Sequence, residues 1–159
     1  MSQAIGNTTL ALTRAWHLVS ARERVLGKLA RSIALVLAGK HKPPGLHDQS
    51  QDAGDYVVVT HARHVVVTGN KEQQIVYRHH TMFPGGLKEI KYQTMMATKP
   101  EEIIRKAVSG MLPKNKLRDR RLERLKIFPD EAHPYAANIV KRYDLGDAFA
   151  ASNPRSPQQ

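Results

Sequence analysis

The chain reads as an α/β domain built on a small, mainly parallel sheet covered by helices. Three observations predict it. A strand-like stretch, Ala15 to Val19, feeds an amphipathic helix. Two β-branched runs follow, Tyr56 to Thr60 and Val65 to Thr68, without the alternation of a half-exposed strand. Such unbroken runs belong to strands buried on both faces, as in parallel sheets. A second amphipathic helix then follows over Ile103 to Leu112. A β-α-β opening of this kind favours a helix-covered parallel sheet with a right-handed crossover.

Taken in order, Arg22 to Ala38 places Leu26, Leu29, Ala30, Ile33, Ala34, Leu37 and Ala38 at helical spacing on one buried stripe. Ser20 is the expected N-cap and Gly39 the expected stop. The basic loop Lys40-His41-Lys42-Pro43-Pro44-Gly45 cannot continue the helix, because its prolines lack the amide proton. After the valine runs, Gly69-Asn70 marks a turn and Gln74 to Tyr77 adds a short strand. Thr98 and Glu101 stand at capping-box spacing, with Pro100 in the first turn, and Pro113 ends that helix. From Lys114 to Lys126, Leu117, Leu122 and Leu125 punctuate a cationic run that packs in part as a helix. Ser152 to Gln159 has the composition of a tail.

Charge bounds the function. The 159 residues carry 25 Lys and Arg against 14 Asp and Glu, a net charge of +11. Such an excess repels itself in the free protein, so a polyanionic partner is the economical explanation, nucleic acid before an anionic membrane surface. The absence of cysteine excludes disulfides, thiolate zinc sites and a cysteine nucleophile. No apolar run approaches the length of a membrane-spanning helix. The start lacks a secretory signal, and no acidic residue precedes Glu23, a composition compatible with mitochondrial import.

Catalytic signals are weak. Neither a dinucleotide fingerprint nor a P-loop is present. His61 with His64, and His79 beside His80, lack the companions that zinc requires. Asp48, Asp52 and Asp55 read as turn and loop-end residues rather than Mg²⁺ ligands. The Lys114–Lys126 run is more informative. Its seven cations face only Asp119 and Glu123, too few partners to neutralise a solvated helix face, so the run points to phosphate contact. In Phe83-Pro84-Gly85-Gly86-Leu87-Lys88 the paired glycines permit either a plain turn or close backbone approach to a ligand.

Several segments carry a family resemblance. They are Leu26-Gly27-Lys28-Leu29-Ala30, Gly39-Lys40-His41-Lys42-Pro43, Gly54-Asp55-Tyr56-Val57-Val58-Val59, Thr68-Gly69, and Tyr77 with His80 and Pro84-Gly85-Gly86. The most specific is Ala107-Val108-Ser109-Gly110-Met111-Leu112-Pro113-Lys114-Asn115, followed by Arg124-Leu125-Lys126 and His133-Pro134. In this order, from about Trp16 to Pro134, the chain resembles the universal large-subunit ribosomal protein L-thirteen family, above all its fungal mitochondrial form. It departs from the family pattern at Ser20, Lys28, His61, Thr81-Met82-Phe83 and Tyr135.

The resemblance implies a three-layer α/β/α domain over 16–134, with terminal extensions over 1–15 and 135–159. It also implies embedding in large-subunit rRNA, neighbouring ribosomal proteins as partners, a mitochondrial matrix location, and no enzymatic activity, cofactor or small-molecule substrate. On that analogy Lys28, the Lys40-His41-Lys42 loop, His80 with Pro84, Gly85 and Gly86, and Lys114, Asn115 and Lys116 face RNA. The adjoining Arg31, His79 and Lys88, and the cations Arg118, Arg120, Arg121, Arg124 and Lys126 of the basic run, are expected to do the same. The rival reading is an RNA-processing enzyme using histidine and aspartate between Asp55 and His64.

Overall fold

The computed structural model describes residues 14–42 and 52–143. Pro43, Pro44, Gly45, Asp48, residues 1–13 of the expected N-terminal extension and residues 144–159 of the C-terminal one lie outside the described residues. Four parallel strands form the central sheet in the order β5-β2-β1-β6, with β1 at Trp16–Ser20, β2 at Tyr56–Thr60, β5 at Leu125–Ile127 and β6 at Lys141–Tyr143. Helix α1 (Leu26–Ala38) connects β1 to its neighbour β2, as the β-α-β opening predicts. Val57, Val58 and Val59 are all fully buried, which explains their lack of alternation. Val19, Val57 and Val59 face a core built from Leu29, Ile33 and Leu37 of α1 and Ile103, Ile104 and Val108 of α4 (Pro100–Met111). On the opposite face Trp16 stacks flat on its register partner Tyr56, with ring centroids 4.3 Å apart, and Tyr135 tilts against Trp16 at 5.2 Å. The segment from Tyr135 to Tyr143, expected as part of an extension, is thus built into the sheet and its covering.

Two expected helix starts are corrected. Helix α1 begins at Leu26 rather than after Ser20, because the chain first turns at Glu23 (φ 58°). Ser20 Oγ accepts from the Arg22 amide at 3.3 Å within that turn. Val25 then makes a single parallel bridge to Val66, and this is all that remains of the strand expected over Val65 to Thr68. Gly39 does stop α1, in the left-handed conformation (φ 81°). The capping box at Thr98 and Glu101 does not form. Thr98 closes the preceding helix α3 (Tyr92–Thr98), donating to the Thr94 carbonyl at 2.9 Å, and Pro100 opens α4 behind Lys99.

A helical turn, α2 (Lys71–Gln74), precedes β3 (Val76–His80). This strand pairs antiparallel with β4 (Leu87–Lys91) in a hairpin separate from the main sheet. The basic run resolves into α5 (Arg118–Glu123) leading directly into β5.

Candidate nucleic-acid interface

The cationic side chains divide into those the fold consumes and those it leaves to solvent. Arg121 and Arg124 are consumed. They are 3% and 4% exposed, which corrects their expected place among phosphate contacts: a guanidinium held inside the fold cannot reach a phosphate. Arg124 grips Asp52 with both terminal nitrogens, Nη2 meeting Oδ1 at 2.6 Å, and Nη2 also donates to the Leu37 carbonyl at the end of α1, 3.2 Å away. Arg121 adds its charge 3.7 Å from the same carboxylate, and Arg14 approaches from the start of β1. Burial works to raise the Asp52 pKa, but the Arg124 hydrogen bond and then the charges of Arg124, Arg14 and Arg121 hold it below its ordinary value. The spacing offered a signal for this. Arg121 sits one helical turn after Leu117, its amide bonded to the Leu117 carbonyl at 3.0 Å, on the half-buried side of α5.

A second buried carboxylate organises the loop after α1. Asp55 is 2% exposed and accepts from His17 Nε2 at 3.0 Å and His41 Nε2 at 2.8 Å, while Lys42 Nζ lies 2.8 Å from its other oxygen. Burial again raises its pKa. Hydrogen bonds from His17, His41 and Lys42, and then the Lys42 charge, outweigh that and hold Asp55 well below the usual carboxylate range. Three of these groups converge as metal ligands do, with ligand atoms within 4.8 Å of one another. The Lys42 ammonium, however, already supplies the neutralising cation. The expectation that Asp52 and Asp55 are loop-end residues is thus half the account, because both anchor buried ion clusters. His41 and Lys42 are turned toward Asp55.

The remaining candidates lie outside. Lys28 and Arg31 are exposed on α1, Lys40 just past its end, and Lys114, Asn115, Lys116 and Arg120 around the start of α5. Arg31 and Lys40 line one hollow of about 420 Å³ with Met111 and Pro113, immediately before Lys114. The fold therefore brings the α1 cations beside the start of the basic run. Asn115 Oδ1 accepts from the Leu117 amide, which shapes that start. Arg118 is half-buried and donates to both the carbonyl and hydroxyl oxygens of Ser109 at 2.7 Å, tying α5 to α4. Lys126 is half-buried in β5. His79, His80, Lys88, Pro84 and Gly85 are exposed on the β3–β4 hairpin, and Gly86 is partly covered within its turn.

The histidines of the rival reading do not assemble a catalytic group. His61, in the left-handed conformation (φ 56°), directs Nδ1 at two hydroxyls, Ser20 Oγ at 3.4 Å and Thr60 Oγ1 at 3.3 Å, rather than at an orienting carboxylate. His64 is exposed, its ring 6.2 Å from that of His61.

A parallel α/β core that spends part of its positive charge on its own architecture and displays the rest around one helix end and a hairpin defines a basic α/β domain with a cationic surface. The comparisons give the family. Residues 14–134 match the family model for ribosomal protein L13, and the chain belongs to that family. It is 53% identical over 124 residues to the large ribosomal subunit protein uL13 of Clostridioides difficile, covering 78% of this chain and 85% of the relative. Identity to the uL13 protein of Geobacter sulfurreducens is 47% over 134 residues, covering 84% and 92%. Against the large ribosomal subunit protein uL13m of Neurospora crassa it is 45% over 159 residues, covering 89% and 86%. Among the described residues no helix is long and apolar enough to cross a membrane.

Proposed function

We propose that this chain is a structural constituent of the mitochondrial large ribosomal subunit, binding and stabilising folded rRNA there. The observation that carries the reading is the match to ribosomal protein L13 over 14–134, joined to a surplus of exposed cations for which the described residues offer too few carboxylates. The mitochondrial part is supported by the similarity to uL13m of Neurospora crassa and by a start that carries no acidic residue before Glu23. In this reading Lys28, Arg31, Lys40, Lys114, Asn115, Lys116 and Arg120 meet phosphates as one group and His79, His80, Lys88 and the Pro84-Gly85-Gly86 turn as another. The partly buried His41, Lys42, Arg118 and Lys126 adjoin these groups and contribute at their margins. The buried Asp52 and Asp55 clusters hold these elements in register, so phosphate contacts position the protein without reading individual bases. Neighbouring large-subunit proteins are the expected contacts of the terminal segments.

Sedimentation of a mitochondrial lysate with and without EDTA, followed by an antibody to this chain, tests the reading. Co-migration with the large subunit that persists after EDTA separates the subunits is the expected result. Confinement to the light fractions would overturn it.

A further inference from the structure

The β3–β4 hairpin ends in two large apolar side chains that stand exposed. Met82 is 89% exposed and Phe83 is 73% exposed. Their backbone is held firmly all the same. The Gly86 amide donates to the Phe83 carbonyl at 2.9 Å, the Thr81 amide donates to the Gly86 carbonyl at 3.0 Å, and the Met82 amide donates to His80 Nδ1 at 2.9 Å. Met82 itself sits at φ 69°, a conformation an L side chain adopts only when its surroundings impose it. A Cβ at Gly86 would collide with the Thr81 hydroxyl and crowd the Phe83 carbonyl, so this closed turn depends on glycine there. The fold therefore builds a rigid support for an aromatic ring and a thioether, and points both at solvent. A ring fixed in advance loses little entropy when a partner covers it.

Charge says what kind of partner fits. Between Val76 and Lys91 the hairpin carries Arg78, Lys88 and Lys91 against the single carboxylate of Glu89, which Arg78 engages at 2.6 Å. Exposed His79 stands opposite Lys88 in the register, one step behind the pair His80 and Leu87 next to the tip. A partner that satisfies this surface presents flat apolar faces joined by anionic linkages. An apolar pocket on a protein would cover the ring and leave the flanking cations unanswered, whereas an unpaired nucleotide stretch answers both. We infer that the hairpin tip is a stacking anchor: Phe83 takes the face of an unpaired RNA base, Met82 packs beside it, and Lys88 with His79 and His80 holds the adjoining phosphates. The inference rests on the RNA-binding reading and adds to it a residue class, an aromatic contact to a base, that the phosphate contacts do not supply.

The test places the photoreactive p-benzoyl-phenylalanine at position 83 of the full chain in living cells, then irradiates purified large subunits. A crosslink to an unpaired rRNA nucleotide is expected. That base should become reactive to base-specific chemical probing in Phe83→Ala and Phe83→Leu subunits and stay protected in Phe83→Trp, which keeps a stacking face. In direct binding to the crosslinked rRNA segment, loss of the ring should weaken affinity by about 5- to 150-fold. Because the ring is exposed, all three variants should melt with the unaltered chain, separating the effect from folding. A crosslink to a ribosomal protein, or equal probing of the Ala and Trp variants, overturns the stacking inference while co-sedimentation leaves the ribosomal reading standing. Failure of the unaltered chain to co-sediment with the large subunit overturns that reading itself.

Discussion

Arg124 and Asp52 lie 72 residues apart in sequence, yet the guanidinium holds both carboxylate oxygens and, through the same Nη2, the last-turn carbonyl of Leu37 in α1. One side chain thus joins the approach to β2, the end of α1 and the start of β5. Removing one partner of a buried pair strands the other, at a cost of about 3–5 kcal/mol. Arg124→Ala should therefore lower the melting temperature by roughly 10 °C, since 1 kcal/mol shifts a domain of this size by about 2–4 °C. Arg124→Lys keeps the charge and loses the fork, so it should recover only part of the loss. Thermal unfolding of the full chain measures both, and an Arg124→Ala protein as stable as its parent would show that the network carries no stability.

Arg120 and Arg121 are adjacent and should behave oppositely. Arg120 is exposed, whereas Arg121 is buried beside Asp52. Arg120→Ala should leave melting within about 0.5 kcal/mol while weakening binding to large-subunit rRNA. The slope of log affinity against log salt should become shallower by about 0.7–0.9, because one fewer phosphate is neutralised. Arg121→Ala should be destabilising first. Filter binding across a salt series, paired with melting curves, separates the two roles, and a salt slope unchanged in Arg120→Ala removes that residue from the interface.

These two arginines also show where sequence reading stops. Apolar periodicity located α1, β2 and α4 because burial leaves its spacing in the residues themselves, as at Ile33 and Leu37 or Val57 to Val59. A run of cations carries no such record, since Arg120 and Arg121 are chemically alike and only the phase of α5 after Leu117 separates them. The partners that decide the matter, Asp52 and Asp55, are far away along the chain, so their burial is a tertiary fact. Strand β4 escaped for the opposite reason. All five of its residues are exposed, and Leu87-Lys88-Glu89-Ile90-Lys91 is too polar to announce a strand. The caps failed because Ser20 and Thr98 found nearer partners, the Arg22 amide and the Thr94 carbonyl, which such side chains readily take.

Acid should unfold the protein through its two buried carboxylates. Both are held below their ordinary value of 3.8 in the folded chain. A group depressed by folding stabilises fully above its unfolded pKa and loses that contribution as pH falls through its folded pKa. Stability measured by urea midpoint should therefore hold steady down to about pH 5 and fall progressively below about pH 4. Asp55→Asn should be less stable at neutral pH, because His17, His41 and Lys42 lose the carboxylate they share, and should show a flatter acid limb. An acid limb as steep in Asp55→Asn as in the parent would mean that Asp55 is not the group being titrated.

Two glycines should answer alanine with opposite signs. At Gly54 a Cβ would overlap the Leu37 carbonyl oxygen and stand 3.0 Å from Arg124 Nη2, at the junction that Asp52 and Arg124 close. The carbonyl belongs to the helix backbone and cannot swing aside, so either the 52–55 segment or the end of α1 must move. Movement of either breaks the hydrogen bond from the Asp55 amide to the Val36 carbonyl, 3.3 Å long, and disturbs Arg124. Gly54→Ala should cost several times the ordinary single-substitution effect of about 1 kcal/mol. At Gly110, inside α4, a Cβ meets nothing within 4 Å, and alanine restricts the unfolded chain while suiting the helix. Gly110→Ala should stabilise by about 0.5–1 kcal/mol. Denaturant unfolding of both variants reads the difference directly. Equal effects at the two positions would contradict the close passage of residues 52–55 against α1, on which the positions of His41, Lys42 and Arg124 all depend.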